Sequence, residues 1–293
     1  MIAAILFVFG TALGSFLNVV ALRYNPERGV FSPKSIGGRS HCPSCKRELR
    51  WFELVPIISF LIQGARCRRC SFRMSFRYLA VELACGSLLA AAYLFLTHFY
   101  GFRLAAGLFG WEYLLLALWA LALFALVLIV LIDLDHFIIP DGLNIAVGAI
   151  GLGIAAILAA HASDLPFASW SFTKQYALLA APDVSVLINR VIAGLVGAAW
   201  FWALYAASRG RGMGFGDVKL AAAIGLLIGW PDIALAGALA FIVGGLWGAG
   251  VVLLGKGKFR DRVPFAPFFV AGTLITIFFG NTLLDWYFSI FRG

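Results

Sequence analysis

Two aspartates lie at the edges of long hydrophobic runs, where a charged side chain is costly. Asp133 closes the run 113–132, and Asp217 follows Gly214-Phe215-Gly216 and opens another run. A carboxylate at membrane depth normally serves catalysis, ion transfer or a structural partner, so these two are the best candidates for an active site. If the two carboxyl groups meet, they cannot both ionise at low cost and would share a proton. One would then act as base toward a water while the other donates to a scissile carbonyl, which is the chemistry of an aspartic protease.

Four polar neighbours of these aspartates have simpler explanations. Asp135 is two positions from Asp133, so a continuous helix would point the two side chains to nearly opposite sides, and at most one of them serves the site. Asp141 follows a proline at the start of the next run, where an acidic residue favours the positive end of a helix. His136 could serve as a base or a metal ligand, but a lone histidine in an interfacial turn is more often a polar residue at the water boundary. Lys219 either tunes the aspartate pair or simply begins a helix on the inner side of the membrane.

Four cysteines form a second chemical motif, far from the aspartates in sequence. Cys42-Pro-Ser-Cys45 and Cys67-Arg-Arg-Cys70 are two CxxC pairs separated by 21 residues. This spacing supplies four thiolates to one tetrahedral ion, and four cysteines leave no open coordination position, so a structural zinc site is predicted. Disulfides are the alternative, but they rarely persist in the reducing cytosol, where this segment is placed below. Cys85 lies in a hydrophobic run and is predicted to be a small packing residue.

The elements that position these residues are membrane-spanning helices. The chain is 62% hydrophobic and only 13% charged, with a mean hydropathy of +0.94, which is more apolar than a soluble domain can bury. An all-α polytopic membrane protein is therefore predicted. Measured against the ~20 residues that cross a bilayer, about eight spans are expected: Ile2–Leu22, Leu83–Thr97 with its flanks, Tyr113–Ile132, Gly142–Ala160, Val191–Ser208, Leu220–Pro231, Ile233–Gly255 and Val263–Leu284.

The distribution of lysine and arginine predicts the orientation of these spans. The segment 23–77 holds twelve of the basic residues, and seven more follow the fifth and seventh spans. Because short cytoplasmic loops retain basic residues, the large first loop is predicted to be cytoplasmic and both termini to lie outside. Asp133 and Asp217 then fall at the same inner membrane boundary. The net charge of +9 is explained by this topology and by anionic lipid, with no nucleic-acid partner expected.

Two further features border these spans. Asn18 and Glu82 are polar positions near the inner ends of the first two spans, and they either shape a substrate or donor site or make interhelical hydrogen bonds. The outer loop 161–189 contains Trp170 and Phe172, and it is predicted to form an interfacial aromatic surface.

Taken together, the motifs resemble the type IV prepilin peptidases, which are intramembrane aspartic proteases of the GxGD type. The matching elements cover nearly the whole chain in family order: Gly14-Ser15-Phe16-Leu17-Asn18-Val19-Val20, the double CxxC, Arg77-Tyr78 followed by Val81-Glu82-Leu83, Ile132-Asp133 through Ile139-Pro140-Asp141, Gly214-Phe215-Gly216-Asp217-Val218-Lys219, and Pro264-Phe265 with Pro267.

This resemblance implies an activity and assigns roles to residues. By it, Asp133 rather than Asp135 joins Asp217 as a catalytic aspartate. It also implies that a basic leader is removed from prepilins or type II secretion pseudopilins at the cytoplasmic face of the bacterial inner membrane. Methylation of the new N-terminal residue, with S-adenosylmethionine as donor, is expected to follow. The family pattern divides the chain into a first span (1–22), a cytoplasmic double-CxxC zinc-binding domain (23–78) and a transmembrane aspartic peptidase domain (79–293).

Two departures from the family pattern concern the methylation activity. The chain has Gly64-Ala65 where family members often carry a glycine pair, and Leu54 where an asparagine is usual. Both positions lie in the loop that the family associates with methylation, and no glycine-rich nucleotide-binding motif locates a donor site. Proteolysis is unaffected by these departures, and the sequence assigns no oligomeric state.

Two other classes of function compete with the peptidase. An ion-coupled transporter would use the same aspartates as a proton relay, but the acidic residues cluster at one boundary instead of the midplane, and no inverted repeat is evident. A non-enzymatic scaffold would present the metal module to a cytoplasmic partner.

Overall fold

The computed structural model describes residues 1–102, 110–166, 168–180, 185–255 and 263–290. Within these ranges the chain is nearly all helical and divides into two compact units, Met1–Leu96 and Thr97–Gly293. Four of the basic residues used above to predict orientation lie outside the described ranges: Lys256, Lys258, Arg260 and Arg262.

The helices follow one another with short connections and are numbered in chain order. The N-terminal part holds α1 (Ile2–Leu22), α2 (Pro33–Ile36), α3 (Ile58–Ile62) and α4 (Phe76–Phe99), with a 3-10 turn at Trp51–Glu53. The remainder holds α5 (Trp111–His136), α6 (Asp141–Ala160), α7 (Gln175–Ala180), α8 (Val186–Ser208), α9 (Phe215–Ile228), α10 (Asp232–Leu253) and α11 (Ala266–Ser289), with a second 3-10 turn at Ala162–Asp164.

Seven of these helices are long and apolar enough to cross a membrane: α1, α4, α5, α6, α8, α10 and α11. The predicted all-α polytopic architecture is therefore confirmed. The remaining predicted span, Leu220–Pro231, corresponds to α9, which begins five residues earlier and has only 14 residues. At 1.5 Å per residue α9 is about 21 Å long, short of the ~30 Å hydrocarbon core. Its end is set by Gly229, whose φ of +84° lies in the region that glycine readily occupies.

In the N-terminal unit, α1 and α4 approach each other at glycine. A Cβ added at Gly14 would lie 2.8 Å from the Cβ of Cys85 and 2.9 Å from the carbonyl oxygen of Val81. Gly10 contacts the same stretch of α4 through the carbonyl oxygen of Cys85. Cys85 is fully buried in this contact, which agrees with its predicted packing role.

In the C-terminal unit, α9 packs between α6 and α8. Gly225 lies directly against the backbone of Ala193 and Gly194 on α8, while Gly151 of α6 lies against the backbone of Leu226. No side chain would fit at either glycine without moving a neighbouring helix. α9 is too short to span the membrane, so its position depends on these close contacts with α6 and α8.

The described part of the loop 161–189 is buried where it meets α10, in contrast to the aromatic surface predicted for this loop. Phe172 is 3% exposed, and its N–H donates to the carboxylate of Asp232 at 2.9 Å. The hydroxyls of Ser171 and Thr173 donate to the same carboxylate at 2.7 and 3.0 Å. A fully buried carboxylate needs hydrogen-bond donors, and the loop supplies them to Asp232. These hydrogen bonds keep residues 171–173 buried.

Arg190 of α8 connects the same loop to α9. Its guanidinium is 1% exposed and donates to the carbonyl oxygens of Leu227, at 2.7 Å, and Trp170, at 3.2 Å. Its charge also interacts with that of Asp232. Buried Arg190 and buried Asp232 thus join the loop to α8, α9 and α10.

Candidate functional site

Asp133 lies near the end of α5 and points into the protein. It is 5% exposed, whereas Asp135, two residues later on the same helix, is exposed. The helix continues through both residues to His136, so they face different sides, as the spacing predicted. The Oδ2 atom of Asp133 accepts a hydrogen bond of 3.2 Å from the backbone N–H of Ala266, the first residue of α11.

Asp217 lies in the first turn of α9 and is held by the turn itself. Its Oδ2 atom accepts a hydrogen bond of 3.1 Å from the backbone N–H of Gly214, the residue that caps the helix. The side chain is 8% exposed. A Cβ added at Gly216 would lie 3.3 Å from the Cβ of Ile139, so glycine lets this turn approach the segment that follows α5.

The two carboxyl groups lie near enough for the charge of Asp133 to act on Asp217. The Asp133 carboxylate faces the N-terminus of α11, and the Asp217 carboxylate lies at the N-terminus of α9. Unpaired N–H groups and the helix dipole favour negative charge at these positions. Among the described residues, each accepts one hydrogen bond from the protein and keeps acceptor capacity for a water or a substrate. The arrangement suits general acid–base chemistry by two carboxyl groups that share a proton.

Lys219 pairs with Asp141 at the same end of α9. Its Nζ atom is 2.7 and 2.8 Å from the two carboxylate oxygens of Asp141, the first residue of α6. Both side chains are substantially exposed, at 40% and 65%. The two explanations offered for Lys219 from sequence did not include this ion pair, because the pair joins residues 78 positions apart.

The second cluster lies in the N-terminal unit and consists of the four CxxC cysteines. Their Sγ atoms all lie within 4.8 Å of one another, and those of Cys42 and Cys70 are 3.7 Å apart. A regular tetrahedron with Zn–S bonds of about 2.3 Å has edges of about 3.8 Å, so the donor set fits a four-coordinate metal ion. The cluster could therefore hold a metal.

The two CxxC segments adopt the same backbone structure 25 residues apart. In the first, the N–H of Cys42 donates to Arg47 O and that of Lys46 to Cys42 O; in the second, Cys67 donates to Phe72 O and Ser71 to Cys67 O. Lys46 and Ser71 both have φ near +55°. This internal repeat escaped the sequence analysis, although the equal spacing of the cysteine pairs was a signal for it.

Backbone N–H groups within each turn point at the first sulfur of the pair. The N–H of Cys70, followed by that of Arg69, lowers the pKa of the Cys67 thiol to about 6. Burial raises the pKa of Cys42 to about 11, against the N–H groups of Cys45 and Ser44. Such N–H groups stabilise thiolates, the form in which cysteine binds a metal.

A cavity of about 350 Å³ lies in the same unit. Glu82 of α4 lines it, is 6% exposed and accepts a hydrogen bond of 2.7 Å from the N–H of Ile57. Tyr78, one turn earlier on α4, lines the cavity as well. Glu82 thus accepts a hydrogen bond from the loop, at the residue before α3. The sequence allowed either a role in a substrate or donor site or a hydrogen bond to another spanning helix, and the observed bond is not of the second kind. Asn18 is fully buried, and within the described chain its amide has no hydrogen-bond partner.

Fold and site together define a multi-pass, all-helical membrane protein with two interacting carboxyl groups at its helix ends. The chain belongs to the type IV leader peptidase family, which matches residues 119–249. Residues 8–96 match the bacterial peptidase A24 N-terminal domain. The chain is accordingly a multi-pass protein of the bacterial inner membrane.

Curated relatives extend this likeness over the full chain. The chain is similar to the prepilin leader peptidase/N-methyltransferase of Bacillus subtilis (strain 168), with 32% identity covering 99% of each protein. It is also similar to the proteins of the same name from Aeromonas hydrophila, with 29% identity over 98% of this chain and 94% of the relative, and Legionella pneumophila, with 28% identity over 96% and 92%. No solved structure shows a significant match.

Proposed function

We propose that this chain removes the leader peptide from prepilins or type II secretion pseudopilins and then methylates the new N-terminal residue. Family membership and the names of its full-length relatives support both activities. The observation that carries the peptidase is the interaction of two buried carboxyl groups, Asp133 and Asp217, at the ends of different helices. Neither the fold nor the comparisons favour an ion-coupled transporter.

In this proposal the two aspartates share the work of hydrolysis. One carboxylate takes a proton from a water, and that water attacks the carbonyl carbon of the scissile bond. The other, protonated, carboxyl group donates to the carbonyl oxygen, and a proton finally passes to the departing amine. Gly214 and Ala266 hold the carboxylates through their N–H groups, so neither side chain must reorient during the reaction.

The cysteine cluster is proposed to hold a structural zinc ion through Cys42, Cys45, Cys67 and Cys70. Four thiolates complete a tetrahedral shell and leave no position for a substrate. The two repeated turns, at residues 42–47 and 67–72, each supply two sulfurs, and the ion would link the two turns. We assign this loop, residues 23–78, to a cytoplasmic domain between the first span (1–22) and the peptidase domain (79–293), with both termini outside.

The N-terminal cavity is proposed to bind the methyl donor, S-adenosylmethionine, which supplies the methyl group when bound. The cavity volume falls in the range of small-ligand sites, about 300 to 1,000 Å³. Glu82 places a buried carboxyl group in the cavity wall that would face the cationic donor, and Tyr78 offers an aromatic surface. Equilibrium binding of the donor to the full-length chain tests this assignment: Glu82→Gln is expected to weaken binding, and Glu48→Gln, in an exposed ion pair of the same unit, is expected to leave it unchanged.

Reconstitution with a prepilin tests the proposed function. The chain and a full-length prepilin are placed in lipid vesicles, and the product is analysed by mass. We expect loss of the leader and a gain of one methyl group at the new N-terminus, with Asp217→Asn blocking the first change. An intact leader after incubation with the parent chain would reject the peptidase, and an unmethylated product in the presence of the donor would reject the methyltransferase alone.

A further inference from the structure

A groove runs along the surface between α6 and α9, and it starts at the end where Asp217 lies. Its volume is about 590 Å³. The Lys219–Asp141 ion pair lies at one end, and the groove extends to Leu152 on α6 and Leu226 on α9. From residue 141 to residue 152 the helix rises about 17 Å, or three turns. The groove is therefore long enough for a short stretch of a partner helix.

The two helices that form the groove run in the same direction. Asp141, the first residue of α6, contacts Lys219 near the start of α9, and Gly151 contacts Leu226 further along both helices. Both therefore begin at the end that carries the aspartate pair and lead away from it. A third helix packed parallel to them would begin at the same end.

Seven of the ten residues that line the groove are apolar, and four of these are small. The small residues are Gly148, Ala149, Ala222 and Ala223, and Ile145, which also lines the groove, is 72% exposed. Small residues allow helix backbones to approach closely in lipid, where packing rather than water exclusion drives association. The composition fits an apolar helix better than a polar peptide.

One polar side chain in the wall lacks a partner. Asn144 is 6% exposed, and neither atom of its amide makes a hydrogen bond within the described chain. A buried amide without a hydrogen bond is costly, so a polar group brought to Asn144 by an incoming helix would be stabilised there. A polar side chain on an otherwise apolar helix would supply that group.

The family resemblance implies that the scissile bond of a prepilin lies just before an apolar helix. We propose that this groove binds the first three turns of that helix, with Asn144 hydrogen-bonded to a polar side chain of it. The substrate helix lies parallel to α6 and α9 and begins at the Lys219–Asp141 pair. The segment that precedes the substrate helix would then cross the start of α9, where Asp217 lies in the first turn. This inference rests on the proposed function, because it takes the substrate of that reaction as the occupant.

Photo-crosslinking tests the occupant directly. A photoreactive residue is placed at Ala149, in the groove, or at Leu195, an exposed position on α8, and each protein also carries Asp217→Asn to retain the substrate. We expect a substrate adduct from position 149 and little from position 195. Equal adducts from the two positions, or only lipid adducts from position 149, would overturn the proposal. Cleavage by the parent chain is measured separately, so a failed peptidase and an empty groove give different results.

Two kinetic variants separate binding in the groove from general damage. Ala149→Trp, which fills the groove, is expected to raise KM by about tenfold with little change in kcat, whereas Leu195→Trp should leave both constants unchanged. Asn144→Leu is expected to raise KM for the parent substrate but not for a substrate whose first three helical turns are entirely apolar. The same rise for both substrates, or a loss of kcat alone, would contradict the assigned contact.

Discussion

Asp232 shows how one buried carboxylate can organise a distant part of the chain. Its oxygens accept hydrogen bonds from Ser171, Phe172 and Thr173, and its charge faces that of Arg190. Asp232→Ala removes the acceptor and leaves buried donors and a buried cation without compensation. We expect the free energy of unfolding to fall by about 3 to 5 kcal/mol, measured by denaturant titration in detergent.

Asp285 provides the control for that substitution. It accepts hydrogen bonds from Gln175, Tyr176 and Asn281 at an exposed position. Asp285→Ala is expected to change the free energy of unfolding by less than about 1.5 kcal/mol. An equal decrease in the free energy of unfolding for the two variants would show that the burial of Asp232 does not strengthen its contribution to stability.

The role of a cysteine as a metal ligand or as a packing residue can be tested by substitution. Cys45 belongs to the four-sulfur cluster, whereas Cys85 is buried between α1 and α4. We expect the purified parent chain to carry about one zinc ion, since structural zinc is bound strongly by four thiolates. Cys45→Ser should lose most of it, and Cys85→Ser should retain it, as measured by elemental analysis. Equal zinc content in the parent and Cys45→Ser would exclude the cluster as the site.

At the scale of elements, the position of α9 depends on glycines rather than on its own hydrophobicity. A Cβ at Gly225 would collide with the carbonyl oxygen of Ala193, so Gly225→Ala must separate α8 from α9. We expect a cost of about 1 to 3 kcal/mol in unfolding free energy. Leader cleavage should also slow by up to about 100-fold, since Asp217 moves with the helix.

Gly245→Ala is the matched control on α10. A Cβ there meets nothing within 4 Å, and alanine favours a helix more than glycine does. This variant should unfold at the parent's denaturant concentration or above it and cleave at the parent's rate. If Gly225→Ala behaved in the same way, the close packing of α8 and α9 would not be what positions Asp217.

Helix-scale features were predictable from sequence to different degrees. Hydrophobic length identified the seven long helices, and the two-residue spacing separated Asp133 from Asp135 correctly. The sequence misplaced the start of α9, because Phe215-Gly216-Asp217 reads as a glycine-rich loop until the first turn packs against Ile139. It also missed the partners of Asp232 and Lys219, since hydrogen bonds between residues 60 or more positions apart have no local pattern.

At the scale of the whole molecule, the positive-inside rule predicts that the basic loops lie in the cytoplasm and both termini outside. Lys34 lies in the first loop and Ser163 between α6 and α8, and both are exposed. In spheroplasts, an impermeant maleimide is expected to label Ser163→Cys, while Lys34→Cys should react only after lysis. Labelling in the opposite pattern would invert the topology and move the aspartate pair to the outer face.

The central claim is that Asp133 and Asp217 act as a single catalytic unit, and a double-mutant cycle of cleavage rates tests it most directly. We expect Asp133→Asn and Asp217→Asn each to slow leader removal by at least about 100-fold, with Asp135→Asn close to the parent. Because groups that act as a unit lose their effect together, the double variant should be no slower than the slower single variant. Losses that multiply in the double variant, or ready cleavage by either single variant, would contradict the account.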